Sequence, residues 1–387
     1  MHSPSSGPNK TGGSLKDLLL YFLKLGATGF GGPVVLAEHM QRDLVETRGW
    51  ISKESYVEGF ALAQLAPGPL AAQLAIYLGW AHSGILGATL VGICFILPSF
   101  IIVLGLAALY LRFGGLRWIQ GLFYGIGAAV IAIMTQSSIK LVRKTIKRDW
   151  LLISLATTST LITIITESEI LWVFLVAGIA AMLVKAPPKL SRASSLSIIP
   201  IYLLSGLNGS ADSRLLVNLG LYFLKAGAFV FGSGLAIVPF LHGGVVQHYH
   251  WLNERQFLDA VAVAMITPGP VVITSAFIGY LVAGPVGAVI AALGVFLPCY
   301  FFVVFPAPYY RRFAQNKPLK AFISGVTAAA IGAISGAVVV LGRRAIIDIP
   351  SALIGITTFI VILKVKKVPE ILWILVAGLI GLALHTI

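Results

Sequence analysis

"FALAQLAPGPLAAQLA", residues 60–75, is an apolar run interrupted by two prolines and a glycine where a buried helix should be most regular. "VAVAMITPGPVVITSA", residues 261–276, repeats the interruption. A proline inside a helix removes a backbone donor and clashes with the preceding turn, at a cost of about 3 kcal/mol. In lipid the freed backbone groups cost several kcal/mol more unless something satisfies them.

The lipid setting follows from composition. Of 387 residues, 58% are hydrophobic and 11% charged, and the mean hydropathy is +0.93. Soluble domains carry roughly 25% charged residues. Residues 83–111 alone exceed the roughly 20 apolar residues that span a bilayer. The apolar runs are continuous rather than alternating, which excludes a β-barrel. The chain reads as an all-α polytopic membrane protein. Cys94 and Cys299 lie inside apolar runs and read as small core residues, neither a disulfide nor a metal site. The net charge of +14 sits mostly in short loops, the positive-inside pattern, so no nucleic-acid partner is expected. Residues 1–14 read as a disordered tail, and no cleavable signal is evident after Leu15.

Working outward from the broken runs, residues 21–70 align without a gap on 222–271, and fifteen of the fifty pairs are identical. "YFLKLGATGFG" matches "YFLKAGAFVFG", Trp50 matches Trp251, and Pro67-Gly68-Pro69 matches Pro268-Gly269-Pro270. After a one-residue slip, Gly84, Gly87 and Pro98 meet Gly284, Gly287 and Pro298. The chain is therefore two homologous repeats, 15–186 and 214–387, joined by a linker at 187–213. Each repeat holds six apolar segments. The basic loops 140–149 and 185–192 of the first repeat, and 311–320 and 364–367 of the second, are displaced by one connection. That displacement predicts inverted insertion. Inversion needs an odd number of crossings per half, so five are expected, with one broken segment re-entrant. Arg343 and Arg344 fall on the side this scheme makes external.

Four breaks at equivalent places point to a transport site, because paired interruptions in repeated halves mark where half-helices meet a substrate. The first pair is "GFGGP" (29–33) and "VFGSG" (230–234), and the second is the two Pro-Gly-Pro motifs. Half-helix N-termini aimed into a cavity favour an anion. Lys24 and Lys225, each seven residues before a break glycine, read either as anion-attracting charges or as snorkelling side chains. Gln64, Gln73, Thr267, Thr274 and Ser275 flank the Pro-Gly-Pro motifs and suit oxyanion binding or capping of freed backbone. Between the breaks, 38–55 and 242–256 each carry a tryptophan followed by a helix-start residue, Ser52 or Asn253, and read as interfacial helices. Glu38, His39, Glu58 and Asp259 are the proton-coupling or gating candidates, although Glu58 stands about 13 Å along a helix from its break.

Residues 30–80, from "FGGPVVLAEHMQRDLVETRGW" through "APGP", resemble the chromate ion transporter family in its long, two-repeat form. The resemblance covers nearly all of 15–386. It implies export of chromate, a tetrahedral dianion like sulfate, coupled to the proton gradient across a bacterial inner membrane, with no cofactor and no enzymatic activity. It carries onto Phe30, Gly31, Gly32, Pro33, Trp50, Ala66, Pro67, Gly68 and Pro69. The second copy keeps the first glycine as Gly232 and is diverged at Ser233 and Gly234, which stand where the first copy has the second glycine and the proline. Sulfate transport and a passive anion channel remain as alternatives, and a homodimer is compatible with the sequence. No G-x-x-x-x-G-K-[ST] loop is present, which argues against ATP hydrolysis.

Overall fold

The structure, a computed structural model, describes residues 12–30, 32–114, 116–167, 171–187, 211–229, 234, 237–309, 316–365, 368 and 370–386. Gly31, Gly232 and Ser233, most of the tail and most of the linker lie outside the described residues. Among the described residues there are fourteen α-helices and no strand.

In the first repeat, α1 (Leu15–Thr28) and α2 (Gly32–Met40) form one hairpin, and the FGGP break is its tip. Tyr21 of α1 donates its hydroxyl to Asp43, just beyond α2, at 3.3 Å, and Trp50 returns to pack over Gly13. α3 (Lys53–Leu65) and the first arm of α4 (Leu70–Phe113) form a second hairpin, with Pro67-Gly68-Pro69 as its tip. Here Gly59 packs against the Tyr77 ring, and the Tyr77 hydroxyl donates to Glu58 at 3.3 Å. α4 then doubles back at Ser83–Gly84, where Gly84 has φ +62°. The arms lie so close that a Cβ on Gly79 would stand 2.4 Å from the Gly87 carbonyl oxygen. α5 (Arg117–Leu141), α6 (Trp150–Thr166) and α7 (Leu171–Lys185) complete the repeat.

The second repeat follows the same plan. α8 (Ala211–Phe229) and α9 (Ile237–Leu241) form its first hairpin, tied by the Tyr222 hydroxyl donating to the Phe240 carbonyl at 2.8 Å. α10 (Glu254–Ile266) leads through Pro268-Gly269-Pro270 into α11 (Thr274–Val304), which doubles back at Ala283–Gly284. α12 (Lys317–Ala345), α13 (Ile349–Lys364) and α14 (Glu370–Thr386) end the chain. The expected starts at Ser52 and Asn253 are present: each side chain accepts an N–H from the first turn of its helix.

Both broken segments of each repeat are thus re-entrant, where the sequence suggested one. Three of the breaks carry a glycine at positive φ, Gly32 at +81°, Gly68 at +139° and Gly269 at +96°, and so reverse the chain where a proline alone would bend it. The segments 38–55 and 242–256 are returning hairpin arms with π-helical turns at Gln41–Thr47 and His242–His248.

Equivalent helices run antiparallel. Thr89, early in the long arm of α4, hydrogen-bonds Tyr300, late in α11, at 2.7 Å. Farther along α4, Ser99 meets Gly269, and Tyr110 meets Asp259 and Phe277. The first repeat's hairpins therefore enter from one end of the bundle and the second repeat's from the other. Among the described residues, four helices are apolar and long enough to cross a membrane by length and composition: Leu70–Phe113, Arg117–Ile146, Val271–Tyr309 and Lys317–Ala345. Lys140, Arg143, Lys144, Lys185 and Lys364 gather at the end where the first repeat's hairpins are based, which we call the basic end. At the opposite end Arg344 is neutralised by Glu167 and Glu254, which accounts for a cation where the charge rule disfavours one.

The repeats interlock rather than stand side by side. α5 lies against α14, and α12 lies against α6 and α7. Small residues permit the contact: a Cβ on Gly125 would stand 1.9 Å from the Ala377 carbonyl oxygen, and one on Gly332 2.1 Å from that of Ala156. Ser159 and Thr160 donate across the same seam to the carbonyls of Ala329 and Gly332, at 2.7 and 2.9 Å. Gly125→Leu should force α14 off α5 and destabilise the fold by about 3 kcal/mol, the upper range for overpacking. A thermal-unfolding midpoint in detergent equal to wild type would contradict this packing.

Candidate functional site

The hairpin tips of the two repeats meet. The Gly269 N–H donates to the Gly29 carbonyl at 2.9 Å, joining the Pro-Gly-Pro tip of the second repeat to the FGGP tip of the first. Gly269 has φ +96°, and a Cβ there would stand 2.1 Å from Ser99 Oγ. Its counterpart Gly68 would meet Gln73 Nε2 at 2.5 Å and Cys299 Sγ at 3.2 Å. Ser99 and Cys299 are equivalent residues, so each Pro-Gly-Pro tip rests on the helix of the other repeat.

Above this junction lies a cavity of about 1010 Å³. Its floor among the described residues is Gly29, Phe30, Gly32, Pro33, Gln64, Leu70, Thr267, Gly269 and Val271, from the FGGP tip and both Pro-Gly-Pro tips. The first turn of α2 faces it through Gly32, Pro33, Val34 and Val35, and Leu70 and Val271 open the helical segments after the Pro-Gly-Pro motifs. Helix N-termini carry unsatisfied N–H groups and the positive end of the helix dipole. The walls come from α5, α12 and α14. At the mouth stand Lys140, Arg143 and Lys144, with Glu370 as the one acid among the described lining residues. Lys140 Nζ is 4.0 Å from Glu370 Oε1, at the limit of an ion pair, and all three cations are exposed.

The remaining expected residues divide by position. Gln73 is fully buried and caps freed backbone, its amide donating to the Pro67 carbonyl at 2.6 Å. Thr267 donates to Val263 and Thr274 to Val271, each at 2.7 Å, while Ser275 is buried outside the cavity. Pro67, Gly68, Pro69, Pro268 and Pro270 shape the tips without lining the cavity, and Gly234 abuts Val271. Lys24 and Lys225 are exposed on the outer faces of α1 and α8 and do not line it. The reason is helical phase: α1 buries Leu18, Tyr21, Phe22, Leu25 and Gly26, and Lys24 points away from that stripe. Glu38 is exposed and His39 half-buried on α2, away from the cavity. Asp259 is buried at 6% exposure and accepts the Tyr110 hydroxyl of the other repeat at 2.7 Å.

Sequence reasoning missed the mouth. Lys140, Arg143 and Lys144 were read as a topology signal, yet their i, i+3, i+4 spacing places them on one face of the extended α5.

Interrupted helices do floor a cavity, and sequence comparison decides the family. The family model described as Chromate transporter matches residues 16–182 and 217–382. The chain belongs to the chromate transporter family. It is 54% identical over 396 residues to the chromate transport protein of Cupriavidus metallidurans, covering 100% of this chain and 99% of that one. It is 54% identical to the probable chromate transport protein of Synechococcus elongatus, with 95% of each chain covered. The chromate transport protein of Pseudomonas aeruginosa is 31% identical over 95% of this chain and 92% of its own. No solved structure matches the chain. The two stretches matched by the family model are the two repeats that interlock here.

Proposed function

We propose that the chain is a secondary transporter that carries chromate, a tetrahedral dianion, out of the cytoplasm across the bacterial inner membrane. The observation that carries this reading is the joined pair of tips, Gly29 to Gly269, at the floor of a cavity whose mouth is basic. A dianion enters past Lys140, Arg143 and Lys144 and settles against the N-terminal turns at Gly32–Val35 and Leu70, beside Gln64 and Thr267. The basic end is cytoplasmic by the positive-inside rule, so the cavity is the inward-open state. Because the repeats are antiparallel copies, exchange of their conformations exposes the same floor to the other face. An inward-negative potential drives a dianion outward at about 2.3 kcal/mol per charge per 100 mV. Asp259, buried and shared between the repeats through Tyr110, is the carboxylate placed to carry a coupled proton.

Purified protein in liposomes tests this. Chromate should accumulate against its gradient when a potential or pH gradient is imposed, with sulfate as a weaker competitor. Flux that only equilibrates would indicate a channel, and tighter competition by sulfate would make sulfate the substrate. Asp259→Asn should abolish the response to the pH gradient while chromate–chromate exchange persists. An undiminished response would remove Asp259 from the coupling.

A further inference from the structure

Lys144 has a counterpart at the opposite end of the bundle. The offset of 200 that pairs Gly125 with Gly325 pairs Lys144 with Arg344. At the basic end Lys144 is exposed at the cavity mouth. At the far end Arg344 is held by Glu167, at the C-terminus of α6, and by Glu254, at the start of α10. His242 completes the cluster: its Nε2 lies 2.9 Å from Glu254 Oε2 and 3.2 Å from an Arg344 guanidinium nitrogen. Its Nδ1 is 3.4 Å from the Glu167 carbonyl, and Gln247 donates to Glu167 Oε2 at 3.2 Å. The imidazole is 2% exposed and packs edge-on against Phe257. Behind this cluster, Thr163, Glu167, His242, Ala337, Val340 and Leu341 enclose a space that admits no water. One structural position thus stands open at one end and is shut by ion pairs at the other.

We infer that Glu167, Glu254 and His242 form a latch over Arg344, and that Arg344, once released, is the oxyanion-binding cation of the outward-facing opening. The inference rests on the alternating-access reading above. The latch draws on three separate elements, α6, the hairpin arms around α9 and α10, and the end of α12, so opening that end must part them. Arg344, already partly exposed within the latch, loses both carboxylates and opens to solvent when they separate. A doubly charged anion arriving from the tips replaces the two carboxylates, as it replaces water around Lys144 on entry. Both cations then do the same work in turn, as the inverted symmetry of the repeats requires.

The test places a cysteine at Val340, 4% exposed behind the latch, in the full-length protein in liposomes. Its rate with a membrane-impermeant maleimide is divided by that of a cysteine at Ile349, exposed at the same end, with native Cys94 and Cys299 measured as background. Glu254→Gln and Arg344→Gln should each speed labelling at least about tenfold, since either leaves the cluster short of a partner. Sulfate outside should then slow labelling in Glu254→Gln, where Arg344 is free to bind it, but not in Arg344→Gln. Unchanged labelling in both variants overturns the latch, and equal sulfate protection in both overturns the role of Arg344. His242→Gln, which keeps size and polarity, gives the same reading if a charge variant fails to fold. Chromate flux is not measured here, so failure of the latch and failure of the transport reading are told apart.

Discussion

Gly269→Ala should abolish chromate flux and lower stability by about 3 kcal/mol or more. Two costs combine. A residue with a Cβ at φ +96° is strained by about 1–3 kcal/mol. The added carbon would also stand 2.1 Å from Ser99 Oγ, on a long helix packed along both repeats. Either the tip or the helix must move, and the N–H bond to the Gly29 carbonyl is lost. Ser99→Ala in the same chain removes the overlap with the hydroxyl but leaves the φ strain, so it should restore part of the stability and little flux. Gly68→Ala should be milder, since its nearest neighbour is the end of the Gln73 side chain. Liposome flux and thermal unfolding of the three variants give the order. Wild-type flux in Gly269→Ala would show that the tips need not touch.

Replacing Lys140, Arg143 and Lys144 together by Gln should raise the KM for chromate by about 10- to 100-fold with a smaller change in maximal rate. A cleft lined by one sign of charge raises local counter-ion concentration by roughly 10–1,000-fold. These side chains are exposed, so their effect is on capture more than on the bound state. Wild-type uptake should fall as salt rises, because screening acts over about 8 Å at physiological ionic strength, and the triple variant should respond far less. Glu370→Gln should act in the opposite direction, freeing Lys140 of its acidic neighbour Glu370 and lowering KM. A KM unchanged in the triple variant would move the entrance elsewhere.

How much was legible beforehand depended on the kind of signal. Helices, repeats and break positions were written in composition and in exact matches such as Pro67-Gly68-Pro69 with Pro268-Gly269-Pro270. The shape of the breaks was not. Pro-Gly in a helix can kink or reverse it, and the choice lies in a positive φ at Gly32 and Gly68 that no residue name fixes. Lys24 shows the limit of reading function from repetition. Its match with Lys225 was real, but helical phase set it on the outer face. The mouth cations were visible as a cluster, yet nothing local says which loop folds back over a cavity built from residues more than a hundred positions away.

The threading of α5 onto α14 and of α12 onto α6 and α7 bears on biosynthesis. When the first half leaves the ribosome, the glycine-lined flank of α5 has no mate, and it waits bare in the bilayer until residues 370–386 arrive. The α5 seam therefore closes only once the C-terminal helix is in place. Cutting the gene between the halves should yield a working carrier only when both pieces are inserted in opposite senses within one cell.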